Sequence, residues 1–360
     1  MDSTPAFPKT LLNEPGAVPI EIAPTHFPEE RFSFSGSGAE YFGIWLVNLM
    51  LTLVTLGIYS AWAKVRRNQY FYSNTWVAGA NFNFHGTPQA ILKGRAVALV
   101  LLALYNFAGT LATQYLIFAI VALSLIMPWF IRRGLIFRAR NSSYRSIRFR
   151  FTGSNATVYR TFIVWGIAML VSFGLATPAV AQRIRAMHFN NLNLGTTPFR
   201  FSATIRQFYK LWARTSLLWF AAMFLIGIVV GGALAAFGGW AAGAPALPIA
   251  AILSFWLTRA HYVSGLQNLV WNNMTLGPHR FRSEAQVGPL FRIMMKNALF
   301  TIFTLGLYRP YAVVNVMKYR AETMSLLPGA PVDEFLAQVE RDASAVGAET
   351  ADLFDLEISL

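Results

Sequence analysis

Seven basic side chains stand in three short phrases: Lys64, Arg66 and Arg67; Arg183 and Arg185; Lys318 and Arg320. Each phrase follows an apolar segment, and aromatic residues such as Tyr59, Trp62, Tyr70, Tyr311 and Tyr319 lie nearby. Cations beside apolar segments hold anions, and the default anion at a membrane surface is a lipid headgroup. The plainer reading of the same residues is charge that sets membrane orientation. The balancing acids are placed elsewhere. All sixteen Asp and Glu fall at the ends, none occurs from Tyr41 to Ser283, and that stretch holds 22 Lys or Arg. The core therefore has no carboxylate pair for acid–base work, no oxygen cage for Mg²⁺ or Ca²⁺ and no carboxylate proton relay.

Other reactive residues are scarce. There is no cysteine, which excludes thiolate nucleophiles and Cys-ligated metals. The five histidines, His26, His85, His188, His261 and His279, form no i,i+4 pair and have no carboxylate beside them in the core, so they read as hydrogen-bonded loop residues. No phosphate loop, dinucleotide fingerprint, nucleophile elbow or zinc helix motif is present. The residues argue against an enzyme: no catalytic residue, cofactor or metal ligand is expected. Nucleic acid is the other reading of a pI near 10.3, but these charges are tied to apolar flanks and are not gathered on a soluble face.

The elements that carry the charges belong to a membrane protein. Of 360 residues, 55% are hydrophobic and only 13% charged, about half the usual charged share of a soluble domain. Residues 1–30 form a Pro-rich tail without a signal peptide. Two uncharged stretches, 36 residues between Arg95 and Arg132 and 44 between Arg214 and Arg259, are each long enough for two spans. Their turns are expected near Gly109–Gln114 and over Phe237–Pro248. Basic flanks on both pairs put both turns outside and the flanks in the cytoplasm. Three further apolar segments, beginning near Tyr41, Tyr159 and Leu290, are single. Each breaks at a glycine (Gly57, Gly174, Gly306) and continues as a basic helix. Between Lys296 and Arg309 only 12 residues are uncharged, ~18 Å of helix against a ~30 Å hydrocarbon core. Four spans with interfacial or re-entrant broken helices are favoured; seven spans are the alternative.

The chain reads as a repeat. After each basic or spanning helix comes an Asn, and eight residues later a Phe: Asn74/Phe82, Asn141/Phe149, Asn191/Phe199 and Asn273/Phe281. Three of these Phe open an F-x-F, a fifth F-x-F at Phe32 and Phe34 precedes the first helix, and Ser283 replaces the second Phe of the fourth. The alternation predicts strands, with Gly79, Gly195 and Gly277 at hairpin turns. The expected fold is a mainly α, multi-pass integral membrane protein with internal repeats and short cytoplasmic β-hairpins at the helix ends. The repeated membrane domain covers 31–325, as copies at about 31–148 and 149–280 and a half copy at 281–325. Residues 326–360 are an acidic tail, read either as solvated or as docked on the basic layer.

The run from "GAEYFGIWLVNLMLTLVTLGIYSAWAKVRRNQYFYSNTW" to "FNFHGT" resembles the YjgN-like family of bacterial inner-membrane proteins, and the likeness covers about residues 31–325. It implies a multi-pass protein of the bacterial inner (cytoplasmic) membrane whose domain has no established activity, so no catalytic residues carry over. The expectation is a membrane protein that binds or transports an anionic lipid or small anion, its partners being anionic headgroups at the cytoplasmic face and no nucleic acid. The alternative is a scaffold without a ligand.

Overall fold

The computed structural model describes residues 27–237 and 246–343. The 1–26 part of the Pro-rich tail, most of the second expected turn (238–245) and the acidic end beyond 343 lie outside the described residues.

Eleven short strands make one antiparallel sheet. They are β1 (Glu30–Arg31), β2 (Ser33–Phe34), β3 (Thr75–Val77), β4 (Ala80–Phe84), β5 (Ser142–Tyr144), β6 (Ile147–Phe151), β7 (Leu192–Leu194), β8 (Thr197–Phe201), β9 (Met274–Leu276), β10 (His279–Ser283) and β11 (Met324–Leu327). The spatial order runs β1-β11-β10-β9-β8-β7-β6-β5-β4-β3-β2. The two ends of that order are one bent strand: only Phe32 separates β1 from β2, and its N–H donates to the Met324 carbonyl at 3.0 Å. The sheet therefore closes on itself as a barrel and leaves no open edge. This enlarges the expected picture. The F-x-F segments do form hairpins, but these join into a single closed sheet instead of remaining separate appendages of a helical protein.

Helices rise from one end of this barrel in pairs, each pair leaving a strand and returning to the next. They are α1 (Gly38–Val54) with α2 (Ser60–Ser73), α3 (Pro88–Leu111) with α4 (Thr113–Arg140), α5 (Asn155–Val171) with α6 (Thr177–Phe189), α7 (Ile205–Phe237) with α8 (Ala246–Trp271), and α9 (Val287–Phe303) with α10 (Arg309–Glu322). Helix content dominates the chain. Three helices, α3, α4 and α7 over Ile205–Gly232, are long and apolar enough to cross a membrane.

The short pairs turn at adjacent left-handed residues: Leu56 and Gly57, Phe173 and Gly174, Leu305 and Gly306. A backbone with φ near +90° at the glycine suits a residue without Cβ. The leucine or phenylalanine before it accepts the strain and points outward: Leu56 is 95%, Phe173 97% and Leu305 94% exposed. Such apolar tips have no water-facing rationale, and both ends of every short pair return to the barrel.

The asparagines explain the eight-residue spacing. Asn74, Asn141, Asn191 and Asn273 each donate from the side-chain amide to the carbonyl four residues back, at 2.7–2.8 Å. An orphan carbonyl at the helix end is thereby satisfied. Their own carbonyls accept from the N–H groups of Ser35, His85, Thr152 and Ser202 at the end of the neighbouring strand, at 2.7–3.0 Å. Thr323 holds the fifth position: its hydroxyl donates to Tyr319 O at 3.0 Å, and its carbonyl accepts from the Glu284 N–H at 2.9 Å.

The first Phe of each F-x-F points into the barrel. Ring centroids run Phe82–Phe149 6.5 Å, Phe149–Phe199 6.2 Å, Phe199–Phe281 6.2 Å and Phe281–Phe32 6.4 Å. Each of the four later rings faces an aromatic or aliphatic partner in register: Phe82 opposite Tyr144, Phe149 opposite Leu194, Phe199 opposite Leu276, Phe281 opposite Leu326. The second Phe of each pair packs toward the helix ends, as Phe34 does on Tyr70 and Phe71 and Phe201 on Phe189.

The opposite end of the barrel is stoppered. Residues 332–343 are helical, and buried Leu336 and Val339 join the barrel core with Val332 and Phe335 against it. This part of the acidic end is docked, with Asp333 paired to Arg145 at a hairpin turn.

Candidate functional site: a cation-lined cleft among the helices

Helical periodicity places Lys64 and Arg67 three residues apart on one face of α2, and Arg309 and Arg320 eleven apart on one face of α10. These faces meet. Arg67, Arg309 and Arg320 line a cavity of about 650 Å³ with Arg259 of α8, walled by apolar groups such as Trp256 and Met294. A second cavity of about 410 Å³ shares Arg67 and Arg309 and adds Lys64 and Arg95. A third, about 870 Å³, shares Lys64, Arg67 and Arg95 and adds Arg133 and Arg138. The shared walls make one cleft winding from α8–α10 past α2 to α3–α4. No Asp or Glu lines any part of it.

Neutral groups hold the cations in place. Arg320 Nε donates to Gln267 Oε1 at 2.9 Å, and Gln267 Nε2 in turn donates to Ser283 Oγ at 3.1 Å and Thr323 Oγ1 at 3.0 Å. Burial lowers the pKa of the Arg320 guanidinium, which nevertheless stays charged at neutral pH. Arg95 donates to the Ser60 hydroxyl. Arg67 stands 5.9 Å from the Phe71 ring centre. The ion pairs Arg145–Asp333, Arg282–Glu284 and Lys318–Glu322 all lie outside the cleft. Cations among apolar helices, with no carboxylate in the lining, are costly to maintain.

The seven residues singled out from sequence divide. Lys64, Arg67 and Arg320 converge on the cleft. Arg66 reaches Tyr59 OH at 3.4 Å. Lys318 lies 4.0 Å from Glu322 on the surface. Arg183 stacks on Trp165 at 5.3 Å, and Arg185 on Phe208 at 5.7 Å. Arg95, Arg133, Arg138, Arg259 and Arg309 complete the cleft and do not stand out in the sequence, because each borders or interrupts an apolar run and passes for an orientation signal. Arg309, three residues past the Gly306 break, carried a readable cue: a cation that close to an apolar tip needs a polar cavity.

The histidines do not assemble. His85 Nε2 lies 2.8 Å from Ser143 Oγ and His261 Nδ1 2.9 Å from Thr215 Oγ1. Among the described residues no three His, Asp or Glu are grouped to hold a metal.

Membrane-length helices on a closed barrel, with a cationic cleft among the helices, define an integral membrane protein. Residues 29–353 match the family model described as "Bacterial protein of unknown function (DUF898)", and the chain belongs to that family. It is 30% identical over 156 residues to "Inner membrane protein YjgN" of Escherichia coli O157:H7, covering 42% of this chain and 37% of the relative. A protein of the same name from Salmonella typhimurium is 33% identical over 122 residues, covering 33% of this chain and 30% of the relative. The chain thus spans about a third of the length of the curated relatives it matches. No solved structure matches. The protein resides in the bacterial inner membrane.

Proposed function

We propose that the cleft binds the phosphate of an anionic lipid, or a small anion of like charge, at the cytoplasmic side of the membrane. The observation that carries this reading is the convergence of Arg67, Arg259, Arg309 and Arg320 on one acid-free cavity. Apolar walls beside the guanidinium groups suit an amphiphile: acyl chains against Trp256 and Met294, headgroup among the arginines. Transport of the bound anion through the same site would appear as protein-dependent flux in liposomes. In this reading α3–α4 and α7–α8 are the four spans of a multi-pass protein, the three short pairs are re-entrant, and the barrel is cytoplasmic. The domain over 31–325 is built of repeated units, each a strand, a helix pair and a hairpin, and no catalytic role is assigned.

The test is bound anionic lipid per folded protein in matched nanodiscs, measured by native mass spectrometry. Each cation near such a surface contributes ~1 kcal/mol, so R309A with R320A should lose ~2 kcal/mol of retention, and K64A with R66A and R67A at most ~3 kcal/mol. Equal occupancy in the variants would leave these residues as orientation signals. Topology is tested separately with an impermeant thiol reagent on intact cells: a cysteine replacing Ala112, between α3 and α4, should label, and one replacing Arg200 should not.

The second reading is a scaffold without a ligand. It draws support from the closed, stoppered barrel, which presents no open groove to a soluble substrate.

A further inference from the structure

The barrel is not packed to its axis. A cavity of about 190 Å³ lies inside it, ringed by Phe32, Phe82, Phe149, Phe199 and Phe281. Trp271 and Phe189 border it at the helical end, and Phe335 and Leu336 at the stoppered end. Three side chains in this wall carry polar groups: Tyr144, Trp271 and His279. The Tyr144 hydroxyl is already committed, donating to Val77 O at 2.8 Å. The Trp271 indole stands at the helical end, and His279, against Phe335 at the stoppered end, is 1% exposed.

Neither ring nitrogen of His279 has a hydrogen-bond partner among the described residues. Its one close aromatic neighbour is Phe335, edge-on with centroids 4.4 Å apart. Burial lowers its pKa, so the imidazole is neutral at pH 7, with one donor and one acceptor. A buried polar group left dry is destabilising, and native structures seldom tolerate one. Water answers poorly here, since a buried water takes roughly 2–4 polar partners, and the other uncommitted polar side chain of the wall, Trp271, borders the opposite end of the cavity from His279. A dry cavity of ~150 Å³ does accept a molecule the size of benzene.

We propose that the barrel cavity is a binding site for a small, neutral aromatic molecule carrying one hydroxyl group, with His279 as its hydrogen-bond partner. The aromatic walls take the ring, and the hydroxyl satisfies an imidazole nitrogen that no described residue pairs. Access runs through the helix at 332–343, which is held by the Arg145–Asp333 pair and by apolar side chains. The site lies in the barrel, apart from the cationic cleft, and stands whether or not that cleft binds lipid.

The experiment is ¹⁹F NMR of 4-fluorophenol and of fluorobenzene with the full-length protein in nanodiscs, against empty nanodiscs. The expected result is a protein-dependent bound resonance for 4-fluorophenol, with fluorobenzene at least tenfold weaker, and loss of that resonance in H279F. Wild-type protein labelled with ¹⁵N-histidine gives a readout that needs no variant: the phenol should move the signals of one imidazole. The inference is overturned by spectra identical to those of empty nanodiscs. It is equally overturned by equal binding of the two probes, by a bound resonance that survives in folded H279F, or by imidazole signals that do not shift.

Discussion

The long and short helix pairs are attached to the barrel in the same way and behave differently. The long pair α3–α4 turns at Ala112, an ordinary extended residue, after an uncharged run. The short pairs α1–α2, α5–α6 and α9–α10 turn at two consecutive left-handed residues and bring their cations back with them. Length decides the contrast. A helix of 24 residues such as α3 reaches ~36 Å at 1.5 Å per residue, more than the ~30 Å apolar layer. The 17 residues of α1 reach only ~25 Å. A short pair therefore falls short of such a layer, and its returning helix brings its cations back toward the barrel. Two of the three returning helices, α2 and α10, supply Lys64, Arg67, Arg309 and Arg320 to the cleft. The long pairs meet them there with Arg95, Arg133, Arg138 and Arg259.

The largest expected effect falls on neither kind of pair but on the barrel that joins them. Phe149→Ala removes a ring that touches both Phe82 and Phe199. It should lower stability by ~3–5 kcal/mol, read as the shift in the denaturant or thermal midpoint of the purified protein. A change below ~1 kcal/mol would mean that the ring of phenylalanines is ornamental to the fold.

Glycine substitutions address the contrast directly. Gly306 has φ +93° with open space around its missing Cβ, so Gly306→Ala is penalised by backbone conformation alone, by ~1–2 kcal/mol. Gly109, inside α3, meets only Leu116 at an ordinary 3.7 Å. Gly109→Ala should be neutral or stabilising by up to ~1 kcal/mol. If the two melting temperatures moved in the same direction by the same amount, the tight turn of the short pairs would not be the strained element described here.

Acid has the smallest effect. His279 and His188 are both lowered from the usual histidine value, His279 by burial and His188 by burial and then by Arg138. The unfolded chain therefore takes up protons that the folded one refuses. Their contribution is full above the unfolded value near ~6.5 and falls as pH drops below it, by at most ~1.4 kcal/mol per pH unit for each site, levelling off below the folded value. Melting curves between pH 7.5 and pH 5 check the sign, and H279F should flatten the slope.

Much of the barrel was legible because its signal is local. Period-2 alternation, the Asn-to-Phe spacing and the hairpin glycines lie within ten residues of one another. Closure was not legible, because it depends on Phe32 meeting Met324 and on a last strand with no F-x-F. Thr323 hides the fifth member of the asparagine series: its hydroxyl replaces the amide as donor to the helix end, and its backbone carbonyl accepts as theirs do. The hairpin turn at Arg145 and Ser146 has no glycine at all, though both residues have positive φ. The cleft was half legible. The basic phrases on α2 and α10 stand out in the sequence, but Arg95, Arg138 and Arg259 become neighbours of those phrases only after distant helices pack.

The closing pair of strands also sets a timetable for synthesis. Glu30 must find Leu326, so the first strand waits while nearly 300 residues are made, roughly 15–60 s at 5–20 residues per second. Throughout that interval each helix pair can enter the membrane as it emerges, while the growing sheet carries a bare edge at both sides. A ribosome that stalls before Met324 leaves a membrane-embedded, unclosed ribbon of strands able to pair with another such chain. Folding of this protein is thus committed at its last strand, and truncation near the C-terminus should damage it far more than the loss of an acidic tail would imply.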